Sequence, residues 1–393
     1  MLNFDFYSPA RMVFGRGEEK RIGELLKPHA TKVLLHYGGG SIKKSGLYET
    51  VTTSLKKGGV DFVELGGVEP NPRVSLVRKG IELCKKERVD LILAVGGGSA
   101  IDSAKAIAMG VYYQGDVWDI FEQYKDIEKA LPVATVLTIP AAGSESSRHT
   151  VITNEEKQLK LGYGSSLLRP LLSVVNPELF FTLPEDQLAN GVADMMCHVF
   201  ERYFTNTVHT DLTDALCEAV LRTQMKHGLL AKQNRQNYDA WAELGCAGTV
   251  AHNGILGMGR EEDWGCHDME HELSAIYNVA HGAGLAVLVP GWMQYVYKDN
   301  PEIFVQFAVN VMGVEGSYRH PEALIQEGIS RLREFFCKMG LPATLSELGI
   351  GKDKLEEMAK KATLFSSGKE CPIGGLKKLY WQDILSIYKL VAK

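Results

Sequence analysis

The chain runs to 393 residues, beyond the size at which a single hydrophobic core usually stops growing, so two domains are expected. A net charge of −5, with no dense local run of Lys and Arg, offers a phosphate backbone no basic field and sets nucleic acid aside as a partner. No stretch supplies the ~18 uninterrupted apolar residues of a membrane span, and Met1 to Phe14 lacks the basic start and apolar core of a secretion signal, so a cytoplasmic protein with no membrane partner is expected.

In chain order, short apolar runs bounded by glycine or proline at 32–37, 61–65, 91–95, 133–140 and 172–175 predict buried strands. Helical stretches at 47–57, 74–87 and 101–110 alternate with them in the βαβ rhythm of a parallel, doubly wound sheet. After Asn176-Pro177 the texture changes. Pro184 followed by Glu185 and Asp186 resembles a helix start, and helical spacing continues to the C-terminus. The reading is therefore an α/β domain over 1–184 and an all-α domain over 185–393, with the apolar run 285–289 as buried helix and 352–361 as a solvated, charge-rich helix. Seven cysteines without a CxxC pair read as reduced thiols.

Residues 91–95 run straight into Gly96-Gly97-Gly98-Ser99 and then a helix. Missing side chains let the backbone approach a pyrophosphate, while free N–H groups and the helix dipole favour its charge. The pattern is not GxGxxG, because Ile101 holds the third glycine position, and a tight structural turn is the alternative reading. Gly38-Gly39-Gly40-Ser41 closes the earlier strand without the acidic residue that many nucleotide folds place there for the ribose 2′-OH. Glycines and Ser41 leave room and donors for a 2′-phosphate, so NADP is favoured over NAD; a plain turn is again the alternative. Thr138 to Ser147 packs hydroxyls and small residues after a strand, as a loop folding over a cofactor does. Lys160 has the reach for a ribose or phosphate, although a solvated lysine is the commoner case.

The most informative pattern lies further on. Asp194 and His198 stand four apart, as do His267 and His271, and His281 follows. Positions i and i+4 share a helix face ~6 Å apart along the axis, so each pair can clasp one ion. His267 and His281 would be ~21 Å apart on a straight helix, whereas two ligands of one ion lie ~4 Å apart, so the chain must bend between them. Asn278 and Gly282 tolerate such a break. One carboxylate and several imidazoles form the ligand kit of a catalytic divalent metal, and such ligands suit Fe(II) and Zn(II) about equally. An Asp-x3-His pair alone is common by chance, and Asp263-x3-His267 is another. Cys197 and Cys266 adjoin histidines, but neighbouring helical residues point ~100° apart, so buried inert thiols are expected. His209, His227 and His252 fit no ligand pattern and are expected to be structural or solvated.

Gly96-Gly97-Gly98-Ser99 with Asp102 and Lys105, the Gly143-Ser144-Glu145 loop, Asp194-x3-His198 and His267-x3-His271-x9-His281-Gly282 together resemble the iron-dependent alcohol dehydrogenase family, and its butanol dehydrogenase branch most. The resemblance covers essentially the whole chain. It implies a Rossmann-like N-terminal domain and a helical C-terminal domain in a dehydroquinate synthase-like architecture, with the active site in the cleft between them. By the same resemblance Asp194, His198, His267 and His281 are metal ligands, and His271 lies near metal and nicotinamide without being one. Spacing alone does not separate His267 from His271. Gly97, Gly98, Ser99 and Asp102 match positions around the pyrophosphate and nicotinamide ribose, with Thr138, Ser144 and Lys160 beside the cofactor. The metal implied is Fe(II), with Zn(II) as the alternative, and the assembly a homodimer. Two departures stand out: Ala141-Ala142-Gly143-Ser144 lacks the hydroxyls many members carry, and Gly38 replaces the aspartate common in NAD-preferring members.

The expected function is NAD(P)-linked oxidation of small primary alcohols such as butanol, and reduction of their aldehydes, with His271 and water as candidate proton relay. Asp194 is the single anionic ligand, which leaves the site net positive. A glycerol dehydrogenase-like polyol oxidoreductase and a dehydroquinate synthase-like lyase are the alternatives. The lyase needs basic residues for a phosphorylated acid, whereas Met195, Met196, Val199, Trp264 and Met269 flank the ligands here. A non-catalytic metal- and nucleotide-binding protein is a third.

Overall fold

The first half of the chain carries strands β1 (Arg11–Phe14), β2 (Lys32–Gly38), β3 (Asp61–Val68), β4 (Leu91–Gly96), β5 (Val133–Leu137), β6 (His149–Asn154), β7 (Leu159–Gly164) and β8 (Leu172–Val175). This is a computed structural model, and it describes residues 1–317, 319–364 and 370–393. Six strands form one parallel sheet in the order β1-β8-β5-β4-β2-β3, while β6 and β7 pair antiparallel as a hairpin. Parallel neighbours need crossovers, and the helices Leu47–Gly58, Val74–Glu87 and Gly98–Gly110 supply them.

Alternation along the strands divides the side chains between two faces. Val33, Leu35, Leu93, Val95, Val136 and Val174 share a buried cluster with Ile22, Leu26, Val51 and Leu55. On the other face His36, fully buried, bridges the Leu65 carbonyl and the Ser103 hydroxyl of the helix Gly98–Gly110, both at 2.8 Å. Burial brings its pKa down to about 4 and keeps the ring neutral. Both faces of the central strands are covered, which is why they read as continuous apolar runs.

The expected Rossmann-like sheet is present. β5 ends at Leu137, short of the predicted Pro140, with one further bond from the Thr138 N–H to the Gly96 carbonyl. β1, β6 and β7 escape the sequence reading: β1 is four residues long, and the hairpin mixes Thr, His, Lys and Gly with few apolar residues.

The chain forms two compact units, Tyr7–Leu183 and Pro184–Lys393, the second also taking in Met1–Phe6. The Met1 amino group donates to the Val208 carbonyl at 2.7 Å and the Leu2 N–H to that of Gly259 at 2.8 Å. Helices dominate this second unit, as expected, including Glu185–Tyr203, Tyr238–His252, Gly265–Tyr277 and His281–Val296. The run 285–289 is buried helix, with Pro290 inside the same helix. The charge-rich helix Leu355–Ala362 is solvated on one face only, since Leu355, Met358 and Ala359 are buried. Among the described residues no helix is long and apolar enough to cross a membrane.

Candidate functional site

The two glycine loops leave the carboxyl ends of β2 and β4, which are neighbours in the sheet. From β2 the chain steps outward to β3 and then returns to the opposite side of β2 as β4, so strand order reverses between these two strands. Such a switch point opens the crevice in which open α/β sheets bind nucleotides. The loops themselves differ. A Cβ on Gly97 would lie 3.0 Å from Ile139 side-chain atoms, and one on Gly98 2.9 Å from the Ala142 Cβ, so these glycines admit the loop that follows β5. Gly40, with φ +135, needs glycine for its backbone, whereas a Cβ on Gly39 would meet nothing within 4 Å. Among the described residues nothing fills the room beside Gly39, and Ser41 is exposed, as a ligand approaching the backbone requires.

Lys105 organises the loop after β5. Its ammonium is fully buried and donates to the Ser144 carbonyl and hydroxyl at 2.7 and 3.0 Å, and to the carbonyls of Ser147 and His149 at 3.0 and 2.9 Å. Burial brings its pKa down to about 8, against the pull of Asp102 and Glu145. The Asp102 carboxylate accepts from Ser144 Oγ at 2.5 Å and from the Val151 N–H at 2.9 Å, which fastens both loop and hairpin to the helix Gly98–Gly110. Burial raises the Asp102 pKa, with Lys105 opposing. Thr138 continues from β5 with its N–H on the Gly96 carbonyl at 3.0 Å, and Ser99 occupies the first turn of that helix. Lys160, expected as a solvated residue in the commoner case, is buried on β7.

In the helical unit Asp194 and His198 face the same way from the helix Glu185–Tyr203, both buried, with His198 Nδ1 3.3 Å from Asp194 Oδ1. His267 Nε2 and His281 Nε2 each lie 3.9 Å from that oxygen. The donor atoms of Asp194, His267 and His281 all fall within 4.8 Å of one another, close to the separations ligands keep around one ion. His198 packs against this trio, its ring 4.7 Å from that of His267. Burial foremost, and then the charges of His267 and Arg202, hold His198 well below the ordinary histidine range. A neutral imidazole is the form that ligates. The converging donors, two imidazoles and one carboxylate with His198 alongside them, are of the type that suits a divalent transition metal. His271 stands beside the trio, half-buried, with its ring 5.9 Å from that of His281 at an interplanar angle of 28°.

The bend that the spacing demands falls at Asn278, whose φ of +53 ends the helix Gly265–Tyr277 three residues before His281 opens the next. Gly282 is not part of that break. It sits inside the helix His281–Val296, where a Cβ would fall 2.0 Å from the Asn190 carbonyl oxygen, so its smallness serves a close helix approach.

Several residues at this site were not legible as functional. Glu201 Oε1 accepts both the N–H and the Nδ1 of His267 at 3.0 Å, and Glu270 pairs through Oε2 with His281 Nδ1. Burial pushes the Glu201 pKa up, opposed by main-chain N–H groups of His267, Trp264 and Cys266. The signal was present: Glu201 lies three residues beyond His198 and Glu270 three beyond His267, on the same helix faces. Two more carboxyl groups therefore stand behind the candidate ligands than the sequence pattern named. Cys197 is buried with its thiol pKa raised by burial, and its Sγ lies 3.8 Å from His267 Nδ1, on the side away from Asp194. His252, given no functional role by the sequence reading, packs its ring, tilted by 55°, 4.1 Å from that of His198 and lies 3.3 Å from Arg202 Nη2. Buried Arg202 donates to the His198 carbonyl at 2.5 Å and stacks on Trp264, so it fixes the backbone of a candidate ligand.

A family model described as iron-containing alcohol dehydrogenase matches residues 9–177, and one described as the C-terminal part of the Fe-containing alcohol dehydrogenase family matches residues 188–392. The chain is 46% identical over 390 residues to NADH-dependent butanol dehydrogenase A of Clostridium acetobutylicum, covering 99% of each. It is 35% identical over 365 residues to the NADPH-dependent aldehyde reductase YqhD of Escherichia coli, covering 92% of this chain and 93% of that one. Among solved structures, NADH-dependent butanol dehydrogenase A from Thermotoga maritima aligns with a TM-score of 0.96 at 42% identity, over 100% of this chain and 99% of that one. The chain belongs to the iron-containing alcohol dehydrogenase family and is an NAD(P)-linked oxidoreductase of the alcohol dehydrogenase and aldehyde reductase class.

Proposed function

We propose that this enzyme interconverts small primary alcohols, butanol among them, and their aldehydes, and that Asp194, His198, His267 and His281 hold one divalent metal, Fe(II) before Zn(II). The observation that carries this reading is the convergence of Asp194 Oδ1 with the Nε2 atoms of His267 and His281 at 3.9 Å. When bound, the metal supplies a Lewis acid for the substrate oxygen and the nicotinamide exchanges hydride. Asp194 contributes the anionic ligand, and the neutral imidazoles leave the ion most of its charge. His271, beside His281 but outside the trio, relays the substrate proton together with water. Met195, Met196 and Met269 are buried on the ligand-bearing helices and give them apolar packing in place of the basic residues that a phosphorylated acid would require.

For the cofactor, Gly97, Gly98, Ser99 and Asp102 take the pyrophosphate and ribose region, with Thr138, Ser144 and Lys160 alongside. Gly38, Gly39, Gly40 and Ser41 take the adenosine end, and the absence of a carboxylate from this loop itself favours NADP. NAD is the second reading, favoured by the named NADH dependence of the Clostridium relative and by the Glu64 carboxylate, which Tyr37 and Tyr48 hold near the end of β2. The working form proposed is a cytoplasmic homodimer.

The test is oxidation of NADPH and NADH in parallel over a graded series of aldehydes, on anaerobically purified protein of measured metal content, with stripped enzyme reloaded by Fe(II) or Zn(II) separately. Activity that survives complete metal removal would end the metal assignment. Sedimentation at working concentration checks the dimer.

A further inference from the structure

We propose that Glu201 and Glu270 are positioning residues of the metal centre: each holds the Nδ1 of one imidazole, His267 and His281 respectively, so that Nε2 of both is left to an ion beside Asp194. The inference rests on the metal reading of those ligands. Glu201 Oε1 accepts the main-chain N–H of His267 at 3.0 Å and lies at the same distance from its Nδ1, an arrangement that suits an Nδ1–H donor. That tautomer leaves the lone pair on Nε2, 3.9 Å from Asp194 Oδ1. For His281 the partner is Glu270 Oε2, while Glu270 Oε1 accepts from the Ser274 hydroxyl, which locks the carboxylate from the other side.

Independent features of the chain make room for both carboxylates. Glu270 is fully buried, and a Cβ on Gly284 would fall 2.8 Å from its Cγ and 3.0 Å from its Oε1. Glycine at 284 is what lets Glu270 stand between the helices Gly265–Tyr277 and His281–Val296. Glu201 reaches across from the helix Glu185–Tyr203 to the N-terminus of the helix Gly265–Tyr277, where main-chain N–H groups that have no acceptor within the helix, His267 N–H among them, and the helix dipole stabilise an acceptor. Burying two carboxylates behind two histidines is expensive unless each is hydrogen-bonded, and the bonds each makes are to a ligand imidazole and to its own support. Groups in this position raise imidazole basicity and hold the ring against rotation.

The test uses the full chain, stripped of metal and reloaded with Co(II) as the probe ion. Glu270→Gln, Glu201→Gln and the corresponding aspartate variants are compared with wild type by chelator competition, by the visible Co(II) spectrum and by melting of the metal-free protein. The glutamine variants are expected to bind Co(II) ~10–100-fold more weakly and to shift its visible bands, with partial recovery in the aspartate variants. Glu201→Gln also disturbs a helix start, so Glu270→Gln, with a metal-free melting point near wild type, is decisive. Wild-type binding with an unaltered affinity and spectrum in Glu270→Gln overturns the positioning role. A wild-type chain that takes up no Co(II) overturns the metal reading instead.

Discussion

Gly282 lies against the main chain of Asn190, so close that any Cβ at 282 would sit 2.0 Å from the Asn190 carbonyl oxygen. The contact joins the helix that carries Asp194 to the one that begins with His281. Gly282→Ala must push these helices apart, at a cost of ~1–3 kcal/mol for forced overpacking. The expected result is a lower melting temperature together with less bound metal per chain, read by calorimetry and elemental analysis. Unchanged melting and metal content would show that the helices can separate freely.

His271 is placed beside Asp194, His267 and His281 without joining their cluster. His271→Ala is expected to lower turnover by ~10²-fold, the range for a lost proton-transfer group, while metal content stays at the wild-type level. Metal analysis on the same preparation separates the two roles. Coordinate loss of metal and activity would make His271 a ligand.

Ser41 is exposed at the open end of β2, next to space that no side chain of the loop fills. Ser41→Asp puts a carboxylate where the 2′-phosphate of NADP is proposed to lie. KM for NADPH should rise ~10-fold, equivalent to ~1.4 kcal/mol of repulsion, with little change for NADH. Equal changes for both coenzymes would remove this loop from the choice.

Lys105 makes stability depend on pH. Its pKa is about 8 in the folded chain against an ordinary 10.5, so between those values the unfolded chain binds the extra proton. Stability from this group therefore rises as pH climbs from about 8 to 10.5, by on the order of 3 kcal/mol at most. Lys105→Met, which leaves its buried acceptors without a donor, should be the less stable protein at pH 7 by ~2–4 kcal/mol. Urea titrations at pH 7 and 9.5 should show the gap to wild type widening at the higher pH. A constant gap would mean that the ammonium stays protonated through the range.

What could be read from sequence was whatever local periodicity or exact spacing encodes. β2, β4, β5 and β8 are near-continuous apolar runs because both sheet faces are covered there, and Asp194-x3-His198 is visible because helical geometry fixes i and i+4. The β6–β7 hairpin was not, since its stability comes from packing against the helix Gly98–Gly110 rather than from its own alternation. Glu201 and Glu270 were passed over because a glutamate on a helix is usually solvated, and only the fold shows these two to be buried. Gly282 illustrates the opposite error. Glycine beside a required bend suggests flexibility, yet its purpose depends on a helix that lies far away in sequence.

The left-handed turn at Asn278 sets a counting rule for this stretch of chain. Each residue inserted or deleted between His271 and Asn278 would swing the end of the first helix by about 100° and redirect everything downstream of the turn. His281 would then point away from Asp194 however well its neighbours were chosen. Sequence drift in this segment is thus free to change letters at solvated positions but not their number, and an indel there should abolish the centre even where the fold survives.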